Sequence, residues 1–313
     1  MSETANLLRQ LPGKATGKEN QRRKQYVNIL VLGGTGTVGS QVVNELLARD
    51  VDVRVLTRST EKAQSLPEGA EGVIGDLLEP ETVRSVFGDT DSVFLLAPVS
   101  LTETSEGLMA LNGIRSSGVK RLVYLSVHNL EAAPHLPHFG PKLAIEAAIK
   151  HFDIPYTILR PNNYYQNDYL FKDVLLEYGV YPQPIGDVGC SRVDVRDIAE
   201  AAAIVLTTGE HDGQTYNLVG PDVHTGQSTA EAWSHALGQS IEYGGNDLDA
   251  WEQQFLQYMP AWMVFDFKLM YAFIQEKGLK ATPDDIERQT ELIGHAPRSF
   301  EDFAKEAAEM WEA

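Results

Sequence analysis

Apolar and polar positions change their rhythm at Tyr26. Beyond it, Val27-Asn28-Ile29-Leu30-Val31-Leu32 is a short apolar run closed by glycines, the pattern of a strand buried on both faces. Val38, Val42, Val43, Leu46 and Leu47 then recur at helical spacing. Residues 51–57, 72–75, 92–97, 121–126 and 156–160 repeat the strand pattern. Between them, residues 80–87, 104–115 and 141–150 read as helices, the first and last with Pro near the start. This alternation predicts an α/β architecture with a doubly wound parallel sheet.

Beyond Pro161 the rhythm loosens. Tyr165 to Tyr178 is expected to be helical, and Ile198 to Leu206 is an alanine-rich helix with Asp197 as its cap. Gln214 to Val219 reads as a further strand. From Thr225 onward three or four aromatic-rich helices follow, the last opened by the capping pair Ser299 and Asp302. The expected division is a sheet domain from 26–160 and about 185–222. A smaller, mostly helical lobe, from 161–184 and 223–313, is expected over the carboxyl ends of the strands. No internal repeat or low-complexity segment is seen.

The chain has 313 residues, enough to bury roughly three quarters of its unfolded surface. Mean hydropathy is -0.23, no apolar run approaches a membrane span, and no apolar leader opens the chain, so a cytoplasmic protein is expected. Cys190 is the sole cysteine, which excludes an intrachain disulfide, a Cys-rich metal site and a redox pair. A formal charge of -18 opposes binding of the body to nucleic acid. Residues 1–25 differ: Arg9, Lys14, Lys18, Arg22, Arg23 and Lys24 outnumber Glu3 and Glu19, and they read as a flexible basic arm.

The most informative segment is Gly33-Gly34-Thr35-Gly36-Thr37-Val38-Gly39, between the first strand and the first helix. Glycines there permit a tight turn and a close approach to a pyrophosphate, while the helix N-terminus offers free N–H groups. Strand, turn and helix together supply the context that a dinucleotide site requires. The second strand ends Thr57-Arg58-Ser59 with Lys62 one turn on, and no acid stands there for a ribose 2′-OH. A guanidinium suits a 2′-phosphate instead, so NADP(H) is preferred over NAD(H).

These segments resemble the NmrA-like group of atypical short-chain dehydrogenase/reductases. Gly75-Asp76-Leu77, His138-Phe139-Gly140-Pro141-Lys142 with Glu146, Leu159 to Asn167, Val193 to Asp197, and Asp284-Asp285 to Phe300 carry the rest of the resemblance, which runs from about Val27 to Trp311. It implies a Rossmann-like NADP-binding domain with a small carboxy-terminal lobe. It places the phosphates on Gly33 to Val38, the 2′-phosphate near Arg58 to Lys62, and adenine near Asp76 and Leu77. Ala97, Pro98 and Val99 would line the ribose and nicotinamide side, Lys142 would reach the nicotinamide ribose, and Tyr164, Tyr165, Gln166 and Asn167 would close over the nicotinamide. The group holds reductases of quinones, azo dyes and triphenylmethane dyes, and also NADP(H) sensors that regulate a protein partner.

Ordinary members of the superfamily set Tyr four residues before the catalytic Lys. Here Lys142 is kept, Ser126 closes the fifth strand, and His138 stands in place of Tyr. His138 and His128 are therefore candidate proton donors beside Lys142, each competing with a plain structural role. Tyr164, Tyr165 and Phe139 are candidates for an aromatic wall beside the nicotinamide. His135 and His138 have no acid or cysteine at ligand spacing, and no metal is expected. The leading expectation is an NADPH-dependent reductase of a quinone-like or other conjugated small molecule, because a delocalised product anion needs little acid catalysis. The alternative is a non-catalytic NADP(H) sensor with a regulated protein partner.

Overall fold

The computed structural model describes residues 27–312; the basic arm lies outside them. Strands β1 (Asn28–Leu32), β2 (Asp52–Thr57), β3 (Ala70–Ile74), β4 (Ser92–Leu95), β5 (Arg121–Leu125), β6 (Tyr156–Pro161) and β8 (Thr215–Leu218) form one parallel sheet in the order β3-β2-β1-β4-β5-β6-β8. Between β6 and β8 the chain forms β7 (Val180–Tyr181), which pairs with β9 (Glu242–Tyr243) outside that sheet. Leu32 lies opposite both Leu56 and Leu95, so the carboxyl ends of β1, β2 and β4 open at one level. The strand order reverses between β1 and β4, which creates a crevice there.

Helices cover both faces because every central strand is apolar on both. On one face Ile29, Val31, Val55 and Val123 meet α1 (Thr37–Leu47) and α6 (Val195–Thr207). Ala199, Ala202 and Ala203 of α6 are fully buried, and their small side chains let α6 lie close to α1. On the other face Leu30, Leu95, Leu122 and Tyr124 pack under α4 (Glu103–Ser117) and α5 (Gly140–His151). Two short helices, α2 (Thr60–Gln64) and α3 (Pro80–Ser85), flank β3.

A separate aromatic core, with Trp233, Tyr165, Phe300 and Phe303 at its centre, is built by α7 (Gly226–Leu237), α8 (Leu248–Phe255), α9 (Ala261–Lys277) and α11 (Phe300–Glu312). Ile185 and Cys190 pack in this aromatic core, whereas Leu292 and Ile293 of α10 (Pro283–Ile293) pack on the sheet beside α6.

Two local expectations are corrected. Tyr165 to Tyr178 is not one α-helix: Tyr165–Phe171 is a 3₁₀ turn and Val174–Tyr178 a π turn, ended by left-handed Gly179. The buried Arg192 guanidinium donates to the carbonyl oxygens of Tyr164 and Tyr165, at 2.8 and 3.4 Å, and so draws away acceptors that an α-helix would use. The cap of α6 is Asp194, which accepts from the Arg196 N–H, while Asp197 binds the Arg298 guanidinium and accepts from its backbone N–H at 2.8 Å. Ser299 and Asp302 do pair at the start of α11, with the Asp302 N–H on Ser299 Oγ at 3.1 Å.

Candidate functional site

The glycine turn sits at the crevice. Its glycines do different work. Gly33 has φ 76, the left-handed region that favours glycine. A Cβ on Gly34 would lie 2.7 Å from Val55 Cγ1, and one on Gly39 would collide with the carbonyl of Gly33 and lie 2.7 Å from Gly34 Cα. These three are required by the fold. Gly36 is not: its backbone is extended, and a Cβ there would meet nothing nearer than the Gly33 oxygen at 3.5 Å. The space beside it is open. Among the described residues, the N–H groups of Thr35, Thr37, Val38 and Gly39 find no backbone acceptor, and α1 has no side-chain cap and no acid in its first turn. Free amides at a helix start favour an anion.

Next to this cradle lies a hollow of ≈ 480 Å³ reached by Gly34, Thr35, Asn44 and Lys62. Ser59 caps α2 by accepting from the Lys62 N–H, which sets Arg58 and Lys62 at the mouth of β2. Arg58 is 65% exposed and lies 3.8 Å from Asp76, and Lys62 makes no ion pair among the described residues. Asp76 is held by its own turn, its carboxylate accepting from the Leu78 N–H at 2.9 Å and its N–H donating to Thr82 Oγ1. Leu77 is buried under β2. The expected phosphate and adenine residues are therefore brought together around one crevice. Beyond β4, Ala97 is buried, Val99 is half-buried and Pro98 is exposed.

Further along the crevice a second set of polar groups is buried. Lys142 is ion-paired with Glu103, and both are almost fully enclosed. Burial pushes the Glu103 carboxyl up, against the pull of Lys142. Ser126 donates to Glu146 Oε1 at 2.6 Å, and Arg160 clamps Glu146 at 2.9 and 2.6 Å. Burial works against the charge of Glu146, but the bonds from Arg160 and Ser126 prevail and hold it below its usual range. Burial also raises the phenol of Tyr164, with Glu103 adding to the effect, so Tyr164 stays protonated; its hydroxyl has no partner among the described residues.

Both candidate proton donors have ring nitrogens in enclosed surroundings. Burial, with Lys142 nearby, lowers His138 to about 3, and its Nδ1 is enclosed without a partner. Such an imidazole is neutral near neutrality, without the second ring proton of an imidazolium. Its backbone N–H donates to Asp266 of α9 at 3.0 Å, which fixes the loop to the lobe. His128 is buried, also lowered by burial, and lies 3.3 Å from Asn162, which in turn donates to the Leu279 carbonyl. It serves the junction of β5 and β6.

Of the four residues expected over the nicotinamide, Tyr164 and Asn167 are half-buried, and Tyr164 lies near enough to Glu103 to feel its charge. Tyr165 and Gln166 are not brought there. The Tyr165 hydroxyl donates to the Arg298 carbonyl at 3.1 Å and its ring packs on Phe300, while Gln166 bridges Asp194 and the Val195 N–H. Phe139 belongs to the aromatic core. Sequence reasoning missed Glu103, whose buried pairing with Lys142 joins segments far apart in the chain. Burial pushes the Cys190 thiol up to about 12, which leaves it inert.

The sequence pattern of the NmrA-like family matches residues 25–304. An NAD(P)H azoreductase of Xenophilus azovorans is 30% identical over 281 residues, covering 88% of this chain and 96% of that one. The triphenylmethane reductase of Citrobacter sp., solved with NADP(H), superposes with a TM-score of 0.78 at 26% identity, covering 90% of this chain and 99% of that one. The NADPH complex of quinone oxidoreductase QOR2 from Escherichia coli gives a TM-score of 0.80 at 22% identity, covering 89% and 99%, a likeness of fold. No helix among the described residues is long and apolar enough to cross a membrane.

Proposed function

The chain belongs to the NmrA-like family, and we propose that it is an NADPH-dependent reductase acting on a flat, conjugated small molecule of quinone or dye type. The observation that carries this reading is Gly36, a glycine that the fold does not need, set among amides at the start of α1 that find no backbone acceptor among the described residues. The azoreductase relative, matched along nearly its whole length, supports the reaction class.

In this reading the amides of Thr35, Thr37 and Val38 hold the diphosphate, with Gly33, Gly34 and Gly39 shaping the turn. Arg58 and Lys62 meet the 2′-phosphate, and Arg58 exchanges its long contact with Asp76 for a shorter one. Asp76 and Leu77 flank the adenine. Ala97, Pro98 and Val99 line the path to the nicotinamide. Bound there, NADPH supplies a hydride from C4 of its nicotinamide. Lys142, steadied by Glu103, hydrogen-bonds the nicotinamide ribose. Tyr164 offers a protonated phenol at the reacting end, and Asn167 borders it. Orientation does most of the work, since a delocalised product anion takes its proton from water.

Reduced-nicotinamide absorbance tests this directly with quinones, azo dyes and triphenylmethane dyes. Turnover with NADPH and slower turnover with NADH is expected. Tight NADPH binding with a flat trace across every acceptor would overturn the reductase reading and favour a cofactor-binding regulator.

A further inference from the structure

We propose that Asp222, His224 and Glu301 form a binding site for a divalent cation of the zinc type, between the segment that follows the edge strand β8 and the start of α11. The three offer ligand atoms that all lie within 4.8 Å of one another. Asp222 and His224 are two apart on the segment after β8, and Glu301 stands in the first turn of α11. The His224 backbone is fixed by paired hydrogen bonds with Cys190, both 2.9 Å, and its ring packs on Phe300 at 5.0 Å. The imidazole is thus held in place from two sides.

Two observations mark this cluster as a ligand set. His224 is 4% exposed, neither ring nitrogen makes a hydrogen bond among the described residues, and Nε2 is fully enclosed. A buried ring nitrogen without a partner is costly unless something completes it. Asp222 and Glu301 are exposed, and neither forms an ion pair or hydrogen bond among the described residues. The two neighbouring carboxylates thus have no cation paired with them among the described residues.

Asp197, Glu200 and His295 also converge, but there Arg298 pairs with both carboxylates and His295 lies 2.9 Å from Glu200, so that cluster is already satisfied. One imidazole and two carboxylates suit zinc or cobalt better than magnesium or calcium. Zinc bonds of about 2.0–2.2 Å set ligand atoms roughly 3.5 Å apart, closer than the 4.8 Å within which these atoms lie, so the carboxylates close on the ion by no more than about 1 Å. Their exposure leaves them free to do so. A water completes the coordination, and the bound ion ties the segment after β8 to α11.

The test uses tag-free, chelator-stripped full-length protein without cofactor, titrated with zinc by calorimetry and with cobalt by visible absorption. One equivalent of zinc is expected, with cobalt bands of a low-coordinate site. Asp222→Asn and Glu301→Gln should each weaken zinc by about tenfold or more, and Glu200→Gln should leave it unchanged. Both affected side chains are exposed, so the fold survives their change. Absence of saturable binding, or binding that survives both substitutions, would overturn the proposal without touching the cofactor reading.

Discussion

His138 can pass a second ring proton only if it holds one near the working pH, and its surroundings work against that. Burial and Lys142 hold it near 3, against 6.5 for a free imidazole. Between those values the unfolded chain binds a proton that the folded chain refuses, so stability rises with pH through this window. The contribution is complete above 6.5 and disappears as pH falls toward 3. His138→Asn should flatten the acid limb of the stability curve, measured by denaturant midpoints across that range, and leave the reductase pH profile near neutrality unaltered in shape. Arg58 makes the complementary case. It is mostly exposed, so its removal should cost little stability. Arg58→Ala should raise the NADPH KM about tenfold, equivalent to ~1.4 kcal/mol, and leave the NADH KM unchanged. Steady-state kinetics with both cofactors decides it. The role proposed for Arg58 is legible from residue type and position, because a strand end without an acid is a local pattern. The state of His138 is not, because it depends on what α9 and Lys142 bring against it.

Among elements, the strand, turn and helix around Gly33 to Gly39 show how local pattern and tertiary need combine. Gly39→Ala drives a methyl into the backbone of Gly33 and Gly34, and should lower folding stability by about 1–3 kcal/mol or more. Gly36→Ala has room within the protein and should keep the wild-type melting midpoint, yet weaken NADPH binding severely by filling the cradle. Thermal melts beside calorimetry separate the two; loss of stability in both would sink the assignment of Gly36 to a ligand. The central strands were readable because parallel strands buried on both faces are continuous apolar runs. The segment Tyr165 to Tyr178 was not, since its geometry follows from Arg192 reaching across to two of its carbonyls. No periodicity in that segment records such a partner. The two-residue pair β7 and β9 is too short to leave any pattern at all.

At the scale of the molecule, the sheet and the aromatic core are joined through charge as well as through chain. Arg192 and Asp168 are both fully enclosed and ion-paired at 2.6 Å; Asp168 also accepts from Trp233 Nε1 at 3.0 Å and Gln183 Nε2 at 2.5 Å, and Arg192 donates to the Tyr164 carbonyl beside the crevice. Each partner is unremarkable in the sequence, and only the fold makes them neighbours. Because this network spans the lobe and the crevice wall, the lobe should not melt alone. The four tryptophans, Trp233, Trp251, Trp262 and Trp311, all belong to the carboxy-terminal segment, so their fluorescence reports that lobe, while far-ultraviolet dichroism reports the whole chain. The two transitions should coincide in the wild type. Asp168→Asn keeps the shape but strands a buried guanidinium, with an expected cost of about 3–5 kcal/mol. If the pair binds lobe to crevice, fluorescence in that variant should shift ahead of dichroism and NADPH binding should fall with it. A variant in which both signals move together, with cofactor affinity intact, would show that the pair stabilises the fold without coupling its two halves.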